Sequence, residues 1–329
     1  SVARRVADRL HLRKRGEKAE GMTARPGKNV KGRIGIARRI VQIAVLALFC
    51  APVIISGTGL FGLVSGKEEL SVVPSDLPFF GSLASSSVVG VNVLDPYALL
   101  EVLAAGASIT AGAVLAAVPP LLVYGLVRGR AFCGWVCPVN LVLEGVDWLR
   151  RKLGLTVAVH ALPRRTKMIV SIVVLVICAA TGMLVFEMFS PIAFLNRGML
   201  FGSLAGGFTM AAIVVAELFW AERVWCRALC PLGGFYEAIG TFGLVSVKMD
   251  AERCVHCDAC RAVCLCDPEI LDGVLDEGAD HVSAGDCMLC GRCVDVCPTD
   301  ALSIGPAVPF PKPQAAEGAS LSRPDRLRE

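Results

Sequence analysis

Histidine is scarce in this chain. Only four are present among 329 residues, and all of them lie outside the long apolar segments: His11, His160, His256 and His281. A haem held inside a bilayer by two imidazoles needs two histidines at membrane depth, so this chain cannot bind one by itself.

Nucleotide-binding fingerprints are also missing. No GxGxxG stretch follows a strand-like run, and no Walker-type loop occurs. The sequence therefore gives no support for binding of a nicotinamide, a flavin dinucleotide or ATP.

Charged residues are few, at 19% of the chain, whereas hydrophobic residues make up 54%. This balance is too apolar for an ordinary soluble protein. Four segments are long enough to cross a hydrocarbon core, which needs about 20 apolar residues. They are residues 40–64, 102–127, 168–186 and 199–216, and the second contains Pro119 and Pro120, which should kink it or end its regular part early. The expected fold is an α-helical membrane protein with four transmembrane helices.

Basic residues predict the orientation of these segments. Thirteen Lys and Arg precede the first segment and eight lie between the second and third, whereas each of the other two connections has one. Because Lys and Arg are retained on the cytoplasmic side, both termini are expected there, in a multi-pass protein of the bacterial inner membrane with the lipid bilayer as a partner.

Cysteine is abundant, and eight of the fifteen cysteines form two CxxCxxCxxxC arrays spaced 33 residues apart. The first array is Cys254, Cys257, Cys260 and Cys264, and the second is Cys287, Cys290, Cys293 and Cys297. Bacterial two-cluster ferredoxins hold two [4Fe-4S] clusters with this spacing, and the last cysteine of each array binds the other cluster. The expected ligand sets are thus Cys254, Cys257, Cys260 and Cys297 for one cluster, and Cys287, Cys290, Cys293 and Cys264 for the other. Zinc is disfavoured, because a tetrahedral zinc site has no use for a third CxxC step followed by CxxxC.

The first array departs from the pattern at its end. Proline follows Cys297 directly, but Cys264 is followed by Leu265 and Cys266. Cys266 could therefore replace Cys264 as the fourth ligand, although the CxxxC spacing favours Cys264.

A second repeat lies in the apolar part of the chain. RAFCGWVCPVNLVLE at 130–144 and RVWCRALCPLGGFYE at 223–237 align with an offset of 93 residues. The preceding sequences DPYALL and SPIAFL both predict a helix start, with a capping residue followed by proline. The membrane domain is therefore expected to be a duplicated two-helix hairpin with a CxxxCP motif in each copy.

The CxxxCP cysteines leave three interpretations open. If the repeat brings the two motifs together, Cys133, Cys137, Cys226 and Cys230 supply the four ligands of a third iron-sulfur cluster. A dithiol/disulfide redox pair and simple packing are the alternatives. Packing suits Cys50 and Cys178, which stand alone in apolar segments.

The order of these motifs resembles the NapH family, the membrane-bound ferredoxin subunits of quinol dehydrogenases that serve periplasmic nitrate reductase. The resemblance covers about residues 36–304 and carries both CxxxCP motifs and both arrays. It implies oxidation of membrane quinol, with electrons passed to a NapG-type iron-sulfur protein, and a c-type cytochrome as a further partner. The alternative is a polyferredoxin that assists assembly or maturation of a metalloenzyme.

Quinol oxidation releases protons, so the site needs a proton acceptor near apolar walls. Carboxylates inside or at the edge of apolar segments are costly unless they are used. The candidates for catalysis are Asp95, Glu101, Glu187 and Glu217. Asp95 can instead cap a helix, and Glu217 can instead pair with Arg223.

Four regions are expected along the chain. Residues 1–35 form a basic arm, in which no aromatic residue accompanies the charges, so nucleic-acid binding is disfavoured. Residues 36–247 form the membrane domain, residues 248–304 a small α+β two-cluster ferredoxin domain, and residues 305–329 a disordered tail rich in proline, alanine and serine.

Overall fold

The computed structural model describes residues 32–56, 79–81, 85–88, 90–158, 162–195 and 207–307. The expectations for the basic arm, for the carboxy-terminal tail, and for His11 and His160 fall almost wholly outside these residues.

Helices dominate the part of the chain before residue 241, together with one small sheet. The helices are α1 (Arg33–Ser56), α2 (Pro96–Ala104), α3 (Ala111–Val127), α4 (Ala131–Trp135), α5 (Pro138–Leu153), α6 (Thr166–Thr181), α7 (Val185–Phe189), α8 (Gly207–Phe219) and α9 (Pro231–Gly240), with a π-helical turn at Trp225–Leu229. The antiparallel sheet comprises β1 (Phe79–Gly81), β2 (Ser85–Val88) and β3 (Val91–Leu94).

The prediction of four transmembrane helices, and with it the multi-pass membrane fold, is wrong. Among the helices that the structure describes, none has both the length and the apolar character that a membrane crossing requires. The described helices α3 and α6 have 17 and 16 residues. In these two segments, apolar composition alone therefore gave a misleading estimate of helix length.

Backbone breaks explain why two of the predicted segments are shorter than expected. The segment 102–127 is divided, because α2 ends at Ala104, Gly106 adopts φ 75°, and Thr110 caps the new helix α3 by accepting from the Ala113 N–H at 3.3 Å. In 168–186, α6 ends at Thr181, where Gly182 adopts the left-handed conformation that commonly terminates helices. Pro119 and Pro120 do not end α3, which continues through both to Val127.

The two predicted helix starts are confirmed. Asp95 is the N-cap of α2, with Pro96 at the first helical position, and its side chain accepts from the Tyr97 N–H. Ser190 Oγ accepts from the Ala193 N–H at 3.3 Å in the corresponding place of the second copy.

The last described part of the chain is built on a two-stranded antiparallel sheet. Its strands are β4 (Val245–Met249) and β5 (Leu302–Pro306), with Val247 opposite Ile304. Between them lie both cysteine arrays and the short helices α10 (Ala259–Ala262), α11 (Asp272–Leu275) and α12 (Arg292–Val296), with a 3-10 turn at Pro268–Leu271.

Two buried clusters of side chains form the core. One lies in the ferredoxin part and includes Val247, Leu271 and Val282. The other lies among the helices and includes Tyr97, Phe132 and Tyr236. Cys133 and Cys226 pack against both clusters, so the CxxxCP motifs lie where the two halves of the molecule meet.

Candidate iron-sulfur centres

The first ferredoxin site is a cavity beside β4 and β5. Its lining includes Cys254, Cys257, Cys260 and Cys297. The structure thus brings together three cysteines of the first array and the last cysteine of the second, the set expected for a crossed arrangement. Cys257 is exposed, so this site reaches the molecular surface.

Both cysteine loops share an unusual backbone geometry. His256 and Asp258 adopt positive φ in the first loop, as Leu289 and Gly291 do 33 residues later. A left-handed conformation at a non-glycine residue costs roughly 1–2 kcal/mol. The loops turn tightly at equivalent positions, which directs successive thiols towards one centre.

The second ferredoxin site lies deeper in the protein. Cys287 and Cys290 are buried, and Cys293 faces both of them. Cys264 and Cys266 both reach this site and hydrogen-bond to each other. Cys264 faces Cys290 and Cys293, whereas Cys266 lies beside Cys287, Cys290 and Arg130. The hydrogen bond with Cys264 lowers the pKa of the Cys266 thiol below its usual value.

The CxxxCP motifs form a third site, a cavity lined by all four of their cysteines. Cys133 lies in α4 and Cys226 in the π-helical turn, whereas Cys137 and Cys230 are the N-caps of α5 and α9. The prolines of the motifs occupy the first position of α5 and α9, where the missing N–H costs nothing. Burial raises the pKa of the Cys133 and Cys137 thiols, so free thiols here stay protonated and a bound metal would have to displace the protons.

The polar atoms around this third cavity suit an iron-sulfur cluster. Asn140 Nδ2 and Arg130 Nε are buried without a hydrogen-bond partner, and both residues line the cavity. The Gly233 N–H already points at Cys230 Sγ, at 3.4 Å. Unpaired donors are costly inside a protein, and cluster sulfur is an acceptor that they can satisfy. The residues present therefore fit a [4Fe-4S] cluster.

The described residues form no site for a single metal ion. Nowhere in these ranges do three or more side chains of His, Cys, Asp or Glu come together in an arrangement that could hold one ion.

The CxxxCP motifs contact the loops of the second ferredoxin site directly. Trp135 Nε1 donates to Leu289 O at 3.0 Å, and Arg227 Nη2 donates to Cys264 O at 3.2 Å. Gly134 lies so close to Met288 that a Cβ at position 134 would come within 2.5 Å of the Met288 carbonyl oxygen. The second and third sites are therefore immediate neighbours, a contact that no spacing in the sequence indicated.

The four candidate carboxylates fall in two places. Asp95, Glu101 and Glu187 lie near one another, since the charges of both glutamates act on Asp95. Glu217 lies elsewhere, where its carboxylate accepts from the backbone N–H groups of Arg223 and Trp225. The expected link between Glu217 and Arg223 is thus made through the backbone N–H.

Asp95 has a partner that the sequence reasoning missed. Tyr236 Oη donates to Asp95 Oδ1 at 3.1 Å, and the Tyr236 ring packs 5.5 Å from Phe132, next to Cys133. Burial raises the pKa of Asp95 to about 7. The only available signal was the position of Tyr236 in the second repeat, beside Glu237.

Glu101 is fully buried and belongs to a different hydrogen-bond arrangement. Its Oε1 accepts from the Phe186 N–H at 2.8 Å and from Cys178 Sγ at 3.3 Å. Burial raises the pKa of Glu101 as well. Cys178, expected only to pack, is therefore also a hydrogen-bond partner of this carboxyl group.

Two family models, each described as a 4Fe-4S binding domain, match the chain. One matches twice, at residues 110–156 and 203–249, and so covers both CxxxCP motifs at the spacing of 93 residues. The other matches residues 281–303, which hold the second cysteine array. The chain therefore carries binding domains for 4Fe-4S clusters.

Several known proteins are similar to this chain. The methylamine utilization ferredoxin-type protein MauN of Paracoccus denitrificans is 38% identical over 77% of this chain and 83% of its own. The ferredoxin-type protein NapH of Escherichia coli is 36% identical over 82% of this chain and 88% of its own. The putative electron transport protein YccM of Escherichia coli is 27% identical over 58% of this chain and 55% of its own. No solved structure gives a significant match.

Proposed function

This chain belongs to the NapH and MauN family of ferredoxin-type proteins and is a 4Fe-4S electron-transfer protein, and we propose that it oxidises quinol with three [4Fe-4S] clusters. The proposed number of three clusters rests on the CxxxCP cavity. Four cysteines line it, together with Asn140 and Arg130, each of which has a buried N–H donor without a hydrogen-bond partner. When bound, each cluster would take up and release one electron.

The proposed ligands are divided among the three sites. Cys254, Cys257, Cys260 and Cys297 would hold the first ferredoxin cluster, and Cys287, Cys290, Cys293 and Cys264 the second. Cys133, Cys137, Cys226 and Cys230 would hold the third. Direct contact between the CxxxCP motifs and the loops of the second site supports electron exchange between neighbouring sites.

Asp95 is the proposed proton acceptor for quinol oxidation. Its raised pKa, to about 7, suits a general base that works near neutral pH. Tyr236 orients this carboxyl group and connects it with Phe132, the neighbour of Cys133. Glu101 and Glu187 complete an acidic group around Asp95.

The destination of the electrons is proposed from the family alone. A periplasmic reductase pathway such as that of nitrate reductase would receive them through a NapG-type iron-sulfur protein, with a c-type cytochrome as a further partner. A location at the bacterial inner membrane stays a prediction.

Iron analysis of anaerobically purified protein tests the number of clusters. We expect about 12 iron atoms per chain, falling to about 8 in the Cys137→Ser and Cys230→Ser variants. Cys178→Ser is the matched control, because Cys178 is a buried cysteine outside all three sites, and it should retain about 12. About 8 iron atoms in the unmodified protein would contradict the third cluster.

Reduction by a menaquinol or ubiquinol analogue, followed by EPR, tests the substrate. The expected result is the appearance of reduced-cluster signals that depend on the quinol. Absence of both cluster reduction and quinone binding in fully loaded protein would overturn quinol oxidation and favour a role in metalloenzyme maturation.

A further inference from the structure

Arg130 lies between the CxxxCP site and the second ferredoxin site and bonds to both. Its Nη2 donates to the carbonyl oxygen of Cys226, a CxxxCP cysteine, at 2.7 Å. Its Nη1 donates to the backbone and carboxylate oxygens of Asp286, the residue before Cys287. The guanidinium group thus connects the backbones that carry one cysteine of each site.

The charge of Arg130 is enclosed by protein. The side chain is 1% exposed, and it lies close to the thiols of Cys133, Cys226 and Cys266. Cys133 and Cys226 belong to the CxxxCP site, whereas Cys266 lies at the second ferredoxin site. A buried charge acts on its neighbours with little screening by solvent, so one cation acts on two sites here.

Asp286 balances part of this charge. It is 1% exposed and forms ion pairs with Arg130, Lys167 and, at 3.8 Å, Arg164. Lys167 also lies 3.2 Å from Glu237. Two carboxylates and three cations therefore meet beside the junction, and their sum remains positive.

We propose that Arg130 sets the midpoint potentials of both the CxxxCP cluster and the second ferredoxin cluster, and so couples the two as a redox pair. This inference rests on the proposed third cluster. Reduction adds one negative charge to a cluster, and a nearby buried cation stabilises the reduced form. Arg130 acts here as a positioning residue through charge and hydrogen bonds to the cysteine-bearing backbone, since cysteine thiolates are the ligands.

Arg128 provides a matched comparison two residues earlier in the chain. It is also buried, at 2% exposure, but its bonds go to the carbonyl oxygens of Val245, Val282 and Ala284, all in the ferredoxin part. The thiols beside it are those of Cys287 and Cys266. Arg128 should therefore influence the second ferredoxin site without the CxxxCP site.

An EPR-monitored redox titration of the intact chain tests the proposal, with the Cys137→Ser variant used to assign the signals of the CxxxCP site. Arg130→Gln should shift the midpoint potentials of both sites to more negative values, while Arg130→Lys should keep them closer to those of the unmodified protein. Arg128→Gln should shift the second ferredoxin site alone. An Arg130→Gln protein that keeps its iron but shifts one site or neither would overturn the proposal.

The Asp286→Asn variant removes a negative charge beside the same two sites, so the expected shift of the midpoint potentials is opposite to that of Arg130→Gln. This test does not depend on the stability of Arg130→Gln. Removing this carboxylate charge should move both potentials to more positive values. Unchanged or more negative potentials would overturn the role of charge, even if Arg130→Gln failed to bind iron. If the unmodified protein holds only about 8 iron atoms and Cys137→Ser removes no signal, the proposed third cluster fails instead, so the two failures are distinguishable.

Discussion

Cys264 and Cys266 compete for one role, the fourth ligand of the second ferredoxin cluster. Both thiols reach the second ferredoxin site: Cys264 faces Cys290 and Cys293, whereas Cys266 lies beside Cys287, Cys290 and Arg130. The preference for Cys264 therefore comes from the CxxxC spacing, and Cys266 also lies next to the junction with the CxxxCP site.

Substitution separates the two cysteines. Cys264→Ser should lose about four iron atoms per chain, and Cys266→Ser should keep the full content, as measured by iron analysis and EPR. The reverse pattern would make Cys266 the ligand. Full iron content in both single variants, lost only in the double variant, would show that either thiol can serve.

Asp95 is the residue at which pH dependence is expected. Burial raises its pKa to about 7, while the hydroxyl of Tyr236 and the N–H of Tyr97 oppose this shift and the charges of Glu187 and Glu101 add to it. Tyr124 also lies near this carboxyl group. Asp95 is therefore neutral below about pH 7 and can accept a proton only above it.

The rate of quinol-dependent cluster reduction should rise as the pH increases through about 7 and level off above it. Asp95→Asn should be slower and lose this dependence. Glu217→Gln is the control, because burial also raises the pKa of Glu217 to about 7 but its carboxylate accepts from backbone N–H groups in another place. The same loss of pH dependence in Glu217→Gln, with none in Asp95→Asn, would contradict the assignment.

At the scale of elements, helix α1 is attached to the ferredoxin part by its first turn. Asp295 Oδ2 accepts from the Gly35 N–H at 2.8 Å, and Asp295 Oδ1 accepts from the Ile34 N–H at 3.3 Å. One turn later, the buried Arg38 pairs with Glu144 of α5. Asp295 lies between Cys293 and Cys297, so α1 covers the segment that holds proposed ligands of both ferredoxin sites.

Asp295→Ala removes the acceptor for these two N–H groups. The loss of a helix cap costs about 1 kcal/mol, which corresponds to roughly fivefold faster amide exchange in the first turn of α1. Hydrogen exchange with mass spectrometry measures this change, and Glu269→Ala, an exposed acidic residue of the same domain, should leave the exchange of α1 unchanged. Equal exchange in both variants would mean that Asp295 does not hold the helix.

At the scale of the whole molecule, the two halves meet at a contact that leaves no room for a side chain. A Cβ on Gly134 would lie 2.5 Å from the Met288 carbonyl oxygen, which is backbone and cannot move aside cheaply. The neighbouring hydrogen bonds from Trp135 and Arg227 depend on this close approach. Separation of the halves would expose both adjoining cysteine sites.

Gly134→Ala should therefore destabilise the protein by about 1–3 kcal/mol, as overpacking does, and speed loss of iron during thermal unfolding. Gly145→Ala is the matched control, since nothing lies within 4 Å of the added methyl group and alanine favours the helix by about 1 kcal/mol. Thermal melts followed by cluster absorbance compare the two. A Gly134→Ala protein as stable as Gly145→Ala would contradict the tight junction.

The order of residues along the chain was enough to predict the chemistry of the sites, because thiol spacing within a loop or one helical turn is a local property. The arrays predicted the ferredoxin segment, and the offset of 93 residues predicted that the CxxxCP motifs correspond to each other. The family followed from the same motifs, and the sequence comparisons confirm it.

Which groups meet across long separations in the chain became visible in the folded structure. Hydropathy misjudged the predicted segments 102–127 and 168–186 because a hydropathy average does not reveal the breaks at Gly106 and Gly182, where a left-handed backbone ends regular structure. The convergence of four CxxxCP cysteines in one cavity, and the position of Arg130 against Asp286, join residues some 93 and 156 positions apart. Such contacts are fixed by the packing of whole elements, which the local pattern of residues does not record.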